Sequence, residues 1–345
     1  MEEVTEHLSQ VTGLAWSAHN TVYYDCHVVS LAQILPRNVY YSWLTMAALP
    51  AIEHQWNGVS CRNKLDSEHA RDVVLFDEME LAKQQLSIKG DLDETIQKTI
   101  RSQGYCICRV DSYYHEHFDE FYLKEHRTNG HKITVIDWDD EYYYGIDNLG
   151  IKTLVMKFQR NWFIESIRSN LFHVYEKEDT FYYLQKPQID AAKENIDSIG
   201  ELEKLRIQQW LEHRIAHARA FEQYYQTFVA DINSPAPRPY AQVHNSYTSA
   251  LMIETAYTAV HEAWQYNSKH WQTVLLDHET TFARMAEAIK AWRMFKMLCK
   301  AKDSGANVSN NQLTNILSQV VNFENKLNDI ILAQFKEQES TKITC

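Results

Sequence analysis

Glycine and proline are scarce, at nine and six in 345 residues, which excludes a collagen-like or linker-rich chain. Cysteine is scarce too. Cys26, Cys61, Cys106, Cys108, Cys299 and Cys345 include no CxxC pair, so neither a disulfide framework nor a zinc ribbon is indicated. Basic charge is in deficit: 34 Lys and Arg against 46 Asp and Glu leave a net charge of −12. Such a field repels phosphates, so no nucleic-acid or anionic-membrane partner is expected. Long apolar runs are missing, none approaching the roughly 18 residues of a membrane span. The start, Met1-Glu2-Glu3-Val4, lacks the basic and apolar regions of a secretory signal, so the expected location is the cytoplasm.

What is present is an ordered chain of two textures. Apolar residues make up 45% and supply a core. The length exceeds the roughly 150 residues of a typical domain, which favours two domains or one large domain with an extension. Up to about residue 190, short β-branched and aromatic runs alternate with helical segments. The best strands are Tyr105–Val110, Lys132–Ile136, Tyr142–Ile146 and Phe181–Leu184, the second and third forming an antiparallel pair across the acidic turn Asp137–Glu141. One helix follows Cys26 and stops at Pro36; another spans Leu92 to Gln103, capped by Asp91 and ended by Gly104.

From residue 196 the pattern becomes helical. Ile199, Leu202, Leu205, Trp210, Leu211, Ile215, Phe221 and Phe228 mark one apolar face, stopped by the prolines at 235, 237 and 239. Further helices are expected at about 245–302 and 309–337. The organisation read from the chain is therefore a mixed α+β domain over 1–190, a helical domain or lid over 196–337, and a tail over 338–345.

Cys26 immediately precedes an apolar helical run. A cysteine at a helix N-terminus faces unpaired N–H groups and the positive end of the macrodipole, both of which favour thiolate. His131 opens the strand through Ile136, and Asp147 ends the next strand. A histidine that accepts a thiol proton, oriented by a carboxylate on the neighbouring strand, completes a Cys–His–Asp triad. Asn20, six residues before Cys26, is a candidate donor to an oxyanion, or else a helix-capping or loop residue.

Asn20 and Asp25-Cys26 together are similar to the amide-x4-Asp-Cys pattern of bacteriocin-processing cysteine peptidases. The stretches Val110-Asp111-Ser112-Tyr113-Tyr114-His115, Asn129-Gly130-His131-Lys132-Ile133-Thr134-Val135-Ile136-Asp137 and Tyr144-Gly145-Ile146-Asp147 resemble the N-terminal domain of the butirosin biosynthesis protein H family. The resemblance covers residues 15 to 185. It implies a papain-like cysteine-hydrolase fold, an N-terminal helix plus an antiparallel sheet, and an acyltransferase of natural-product biosynthesis. The acyl group would pass from a carrier-protein or other thioester to Cys26 and then to a small-molecule amine acceptor. No cofactor is implied, phosphopantetheine entering only as part of an acyl or peptidyl carrier protein. The chain departs from the pattern at His27-Val28-Val29-Ser30, where small residues are usual, and at Asn148, where proline is commoner.

Other constellations are weaker. His115 and His117 lie two apart, with His126 and His131 nearby, and are read with Asp111 and Tyr113 as a substrate-binding loop rather than as metal ligands, since no further Cys/His pair completes a known spacing; Asp111 either orients a substrate amine or holds the active-site loop, or is a strand-end turn residue. Cys106 and Cys108 read as core residues. Lys290, Arg293, Lys296 and Lys300 recur at helical spacing; they form either a solvated face near a helix C-terminus or a docking stripe for an acidic carrier protein. Two rivals to acyl transfer stay open: hydrolysis of a peptide or thioester by the same triad, and a binding protein that keeps the scaffold without the chemistry.

Overall fold

The computed structural model describes residues 26–56, 79–81, 83–86, 90–117, 121–126, 131–149, 152–169, 181–234 and 239–343. The chain divides into two compact units, one comprising Met1–Tyr40 with Met79–Asn195 and the other Tyr41–Glu78 with Ile196–Cys345. The change of texture near residue 196 gives no hint of the first crossing, which falls inside a helix. No helix among the described residues is long and apolar enough to cross a membrane.

The first unit is α+β. Helix α1 (Cys26–Ile34) ends where Pro36 removes a donor, and α2 (Arg37–Trp56) starts directly after it. Then come β1 (Lys83–Gln85), α3 (Leu92–Gln103), β2 (Cys106–Val110), a 3₁₀ turn at Ser112–Tyr114, β3 (His131–Trp138), β4 (Tyr142–Leu149), β5 (Lys152–Gln159), α4 (Arg160–Arg168), β6 (Phe181–Leu184) and α5 (Lys186–Glu194). The six strands make one antiparallel sheet in the order β1-β6-β2-β3-β4-β5.

Period-two alternation places Cys106, Cys108 and Val110 beside Ile133, Val135, Tyr143, Met156 and Phe158 on one face, where Leu92, Ile96 and Ile100 of α3 and Phe163, Ile164 and Ile167 of α4 cover them. Helix α1 packs on β3 and β4. Helix α3 has the ends its sequence announces: Asp91 Oδ1 accepts from Glu94 N at 3.0 Å, and Gly104 takes the left-handed conformation at φ 84°. Asp93 in its first turn accepts from Tyr143 Oη at 2.5 Å and from Arg160 Nε at 2.8 Å, tying α3 to β4 and α4.

The second unit is helical: α6 (Ile196–Ala216), α7 (Ala220–Ile232), α8 (Pro239–Tyr266), α9 (Lys269–Val274), α10 (His278–Asp303) and α11 (Asn310–Ile343). The tail expected from 338 is helical through Ile343. One residue assigned to the apolar face of α6 points outward: Leu205 is 52% exposed, while the charged Glu203 is 2% exposed. The carboxylate is held by Ser42 Oγ and His270 Nδ1, each at 2.7 Å, so its partners lie far away in sequence.

The same solution recurs around Glu324. It accepts from Trp292 Nε1 at 2.6 Å, Arg214 at 2.5 Å and Tyr257 Oη at 2.9 Å, with Arg214 1% and Glu324 0% exposed. Removing one partner of a buried pair leaves the other charge uncompensated. Glu324→Gln is therefore expected to cost about 3–5 kcal/mol in urea unfolding, and Arg214→Met combined with Glu324→Met to recover part of that loss.

Candidate active site

His131 is the first residue of β3, opposite Val110 of β2, and Asp147 lies in β4. His131 shares its face with Ile133 and Val135, Asp147 with Tyr143 and Gly145; strand pairing brings the two side chains together. His131 Nε2 and Asp147 Oδ1 are 2.6 Å apart, with the side chains 11% and 1% exposed. Close approach here depends on Gly145, because a Cβ at that position would stand 2.6 Å from Ile133 Cγ2 and 3.1 Å from Phe158 Cε2. Gly145→Ala is expected to lose about 1–3 kcal/mol of stability by overpacking, read from the denaturant midpoint.

Cys26 is the first residue of α1, half-buried, and its side chain hydrogen-bonds to His131. With Nε2 taken by Asp147, Nδ1 is the nitrogen left for sulfur. Burial by itself disfavours imidazolium. The charge and hydrogen bond of Asp147, reinforced by Cys26, outweigh it and push the His131 pKa up to about 10. The sequence-read trio Cys26, His131 and Asp147 thus meets in space. Asn20 lies outside the described residues.

A raised imidazole pKa stabilises the fold while the folded state holds the proton more tightly than the unfolded one. That contribution is full below pH 6.5 and fades as pH rises towards about 10. In a Cys26→Ser background, which removes the opposing titration of the paired thiol, urea-unfolding free energy is expected to decline across this window, and Asp147→Asn to flatten the decline. A slope unchanged by the substitution would count against the His131–Asp147 pair as its source.

The remaining loop residues adopt separate roles. Asp111, fully buried, caps the 3₁₀ turn through Tyr113 N at 3.0 Å and accepts from Ser169 Oγ at 2.9 Å; its Oδ2 also lies 2.6 Å from His126 Nδ1. Tyr113 stacks on His126 with ring centroids 4.0 Å apart. Asp111 therefore fastens the segment 121–126 to the turn. What spacing does not reveal is that His126 and Ser169 are the partners of Asp111, since they are brought to it from 15 and 58 positions away.

Ser166 Oγ donates to Phe163 O at 2.7 Å, so His115 Nε2–H donates to Ser166 at 3.0 Å. Burial, together with the charges of His131 and His117, pushes the His115 pKa down to about 3 and keeps the ring neutral. His117 Nε2–H donates to Lys157 O at 3.2 Å. The four histidines of this region thus have four different partners, and among the described residues no group of three or more His, Cys, Asp or Glu is arranged to hold a metal. Cys106 and Cys108 are fully buried, with their sulfurs 3.9 Å apart.

Beyond His115 lies a cavity of about 180 Å³, walled by Tyr114, His117, Tyr122, Phe158 and Trp162. In the helical unit, two members of the basic stripe are committed internally: Arg293 Nε at 2.8 Å and Lys296 Nζ at 2.6 Å both donate to Glu254, which is fully buried. Lys290 and Lys300 are exposed. No protein-family model matches this chain, and no curated protein matches it.

Proposed function

We propose that the protein is a cysteine-nucleophile acyltransferase whose first unit is a papain-like domain. The observation that carries the reading is the single chain of hydrogen bonds from Cys26 through His131 to buried Asp147. An imidazole that keeps its proton at neutral pH leaves the paired sulfur as thiolate, the nucleophilic form.

The thiolate attacks the carbonyl of a thioester donor. The developing oxyanion is met by N–H groups at the start of α1, which have no intrahelical acceptors. Collapse of the tetrahedral intermediate breaks the donor C–S bond, and His131 gives its proton to the departing thiol. The acyl group is now on Cys26. An amine then attacks the acyl-cysteine, His131 takes the amine proton, and the Cys26 sulfur leaves as thiolate. Asp147 holds the imidazole through both half-reactions and balances its charge.

Amine rather than water as acceptor, a carrier protein as donor and a natural-product setting come from the sequence resemblance. If an acidic carrier docks on α10, Lys290 and Lys300 supply its contacts, because Arg293 and Lys296 are paired with Glu254. Cysteine alkylation by iodoacetamide, followed at Cys26 by mass spectrometry, tests the chemistry. Fast labelling well below pH 8 is expected in the wild type, shifting to the profile of an ordinary thiol, near pH ~8.5, in His131→Ala. Labelling with the ordinary profile in both would remove the acyltransferase and leave a binding protein. Incubation with short acyl-pantetheine thioesters is expected to add one acyl mass at Cys26, discharged as amide when amines are supplied. Discharge as free acid alone would make the protein a hydrolase.

A further inference from the structure

We propose that the cavity beyond His115 is a subsite for a single aromatic ring bearing an oxygen substituent, the side group of the acyl donor. Assigning the ring to the donor rests on the acyltransferase reading; the cavity's preference for such a ring does not.

Size comes first. An apolar cavity of about 150 Å³ holds benzene. At about 180 Å³ the present one, partly open to solvent and lined by polar as well as aromatic side chains, holds a six-membered ring and one small substituent. The walls come next. Tyr114, Tyr122, Tyr142, Phe158 and Trp162 all border it. Trp162 meets Tyr114 edge-on at 6.4 Å and 89°, and Tyr122 at 6.0 Å and 44°. Rings crossed at such angles offer both faces and edges to an inserted ring, the arrangement that aromatic pairs prefer.

The polar contribution is uneven. Lys157 also borders the cavity, and its Nζ lies 4.7 Å from the centroid of Tyr142, a contact that places the cation at the wall. Glu116 is the acidic neighbour, and it and Lys157 are both exposed. With its ammonium placed over the Tyr142 ring at the cavity wall, Lys157 favours phenolic or carboxylate oxygen over an ammonium group.

The wall is also built rather than incidental. Tyr122 belongs to the segment 121–126, which is anchored three times over: Leu123 N donates to Tyr113 O at 3.0 Å, His126 meets buried Asp111 at 2.6 Å, and its ring stacks on Tyr113. Asp111 is a positioning residue for this wall. His115 is common to both places, bordering the cavity and lying close enough to His131 to feel its charge. Along β4 the cavity residue Tyr142 lies five positions from Asp147, so His115 is the link between the subsite and the triad.

The test uses the full chain carrying Cys26→Ser, so that binding is read without chemistry. Para-hydroxyphenylacetate is titrated by calorimetry, with tyramine and hexanoate as the amine-bearing and aliphatic comparisons. Saturable binding of para-hydroxyphenylacetate is expected, with both comparisons weaker by about tenfold, some 1.4 kcal/mol. Trp162→Ala and Lys157→Ala are each expected to weaken it by a similar factor, and Tyr122→Ala, in the exposed segment, guards against a folding artefact at Trp162. No saturable binding, hexanoate binding as tightly, or affinity indifferent to Trp162→Ala and Tyr122→Ala would overturn the subsite. Ring binding in a chain whose Cys26 alkylates as an ordinary thiol would support the pocket while removing the acyltransferase. An activated Cys26 without ring binding would remove the pocket alone.

Discussion

The hydrogen bond between the His131 imidazole and the Asp147 carboxylate is the constraint on which the sheet unit turns. A carboxylate 1% exposed has given up most of its hydration, a cost that only a charged or strongly polar partner offsets. His131 is that partner, and the two meet only if β3 and β4 pair in one register; a slip by a single residue would send one of them to the other face. The requirement for Gly145 follows from the same packing, since any side chain there would part Ile133 from Phe158. Cys26 completes the arrangement from a separate element, helix α1, which packs on the same two strands.

A related rule organises the helical unit. Glu203, Glu254 and Glu324 are each at most 2% exposed, and each is matched by cations or donors from other helices. Such clusters are costly to break. They also fix which faces of α6, α8, α10 and α11 can meet, because a misplaced helix would strand a charge. They decide what remains outside, too: of the four basic residues spaced along α10, Arg293 and Lys296 are spent on Glu254.

Much of the frame could be read before folding. Strand Lys132–Ile136 lies within β3 and Tyr142–Ile146 within β4, because β-branched and aromatic runs flanking an acidic turn have few alternatives. Helix α3 ends where its capping residues say it should. Less legible were β5 and α4, where Lys152–Gln159 runs straight into Arg160–Arg168 with no side-chain cap to mark the change. The turn at Asp111 was one of two readings its residue type allowed, whereas the segment that Asp111 holds was hidden, since the bond to His126 spans 15 positions.

By itself the sequence determined the secondary-structure periods, the two textures and the order Cys26, His131, Asp147, because periodicity, capping and turn chemistry act within a few residues of one another. Only the tertiary structure decided that these three side chains touch, that Leu205 faces water while Glu203 is buried, and that Asp111 serves a loop. Burial and the pairing of distant charges are properties of the closed chain. No local pattern of residue types specifies which partner a buried polar group will find.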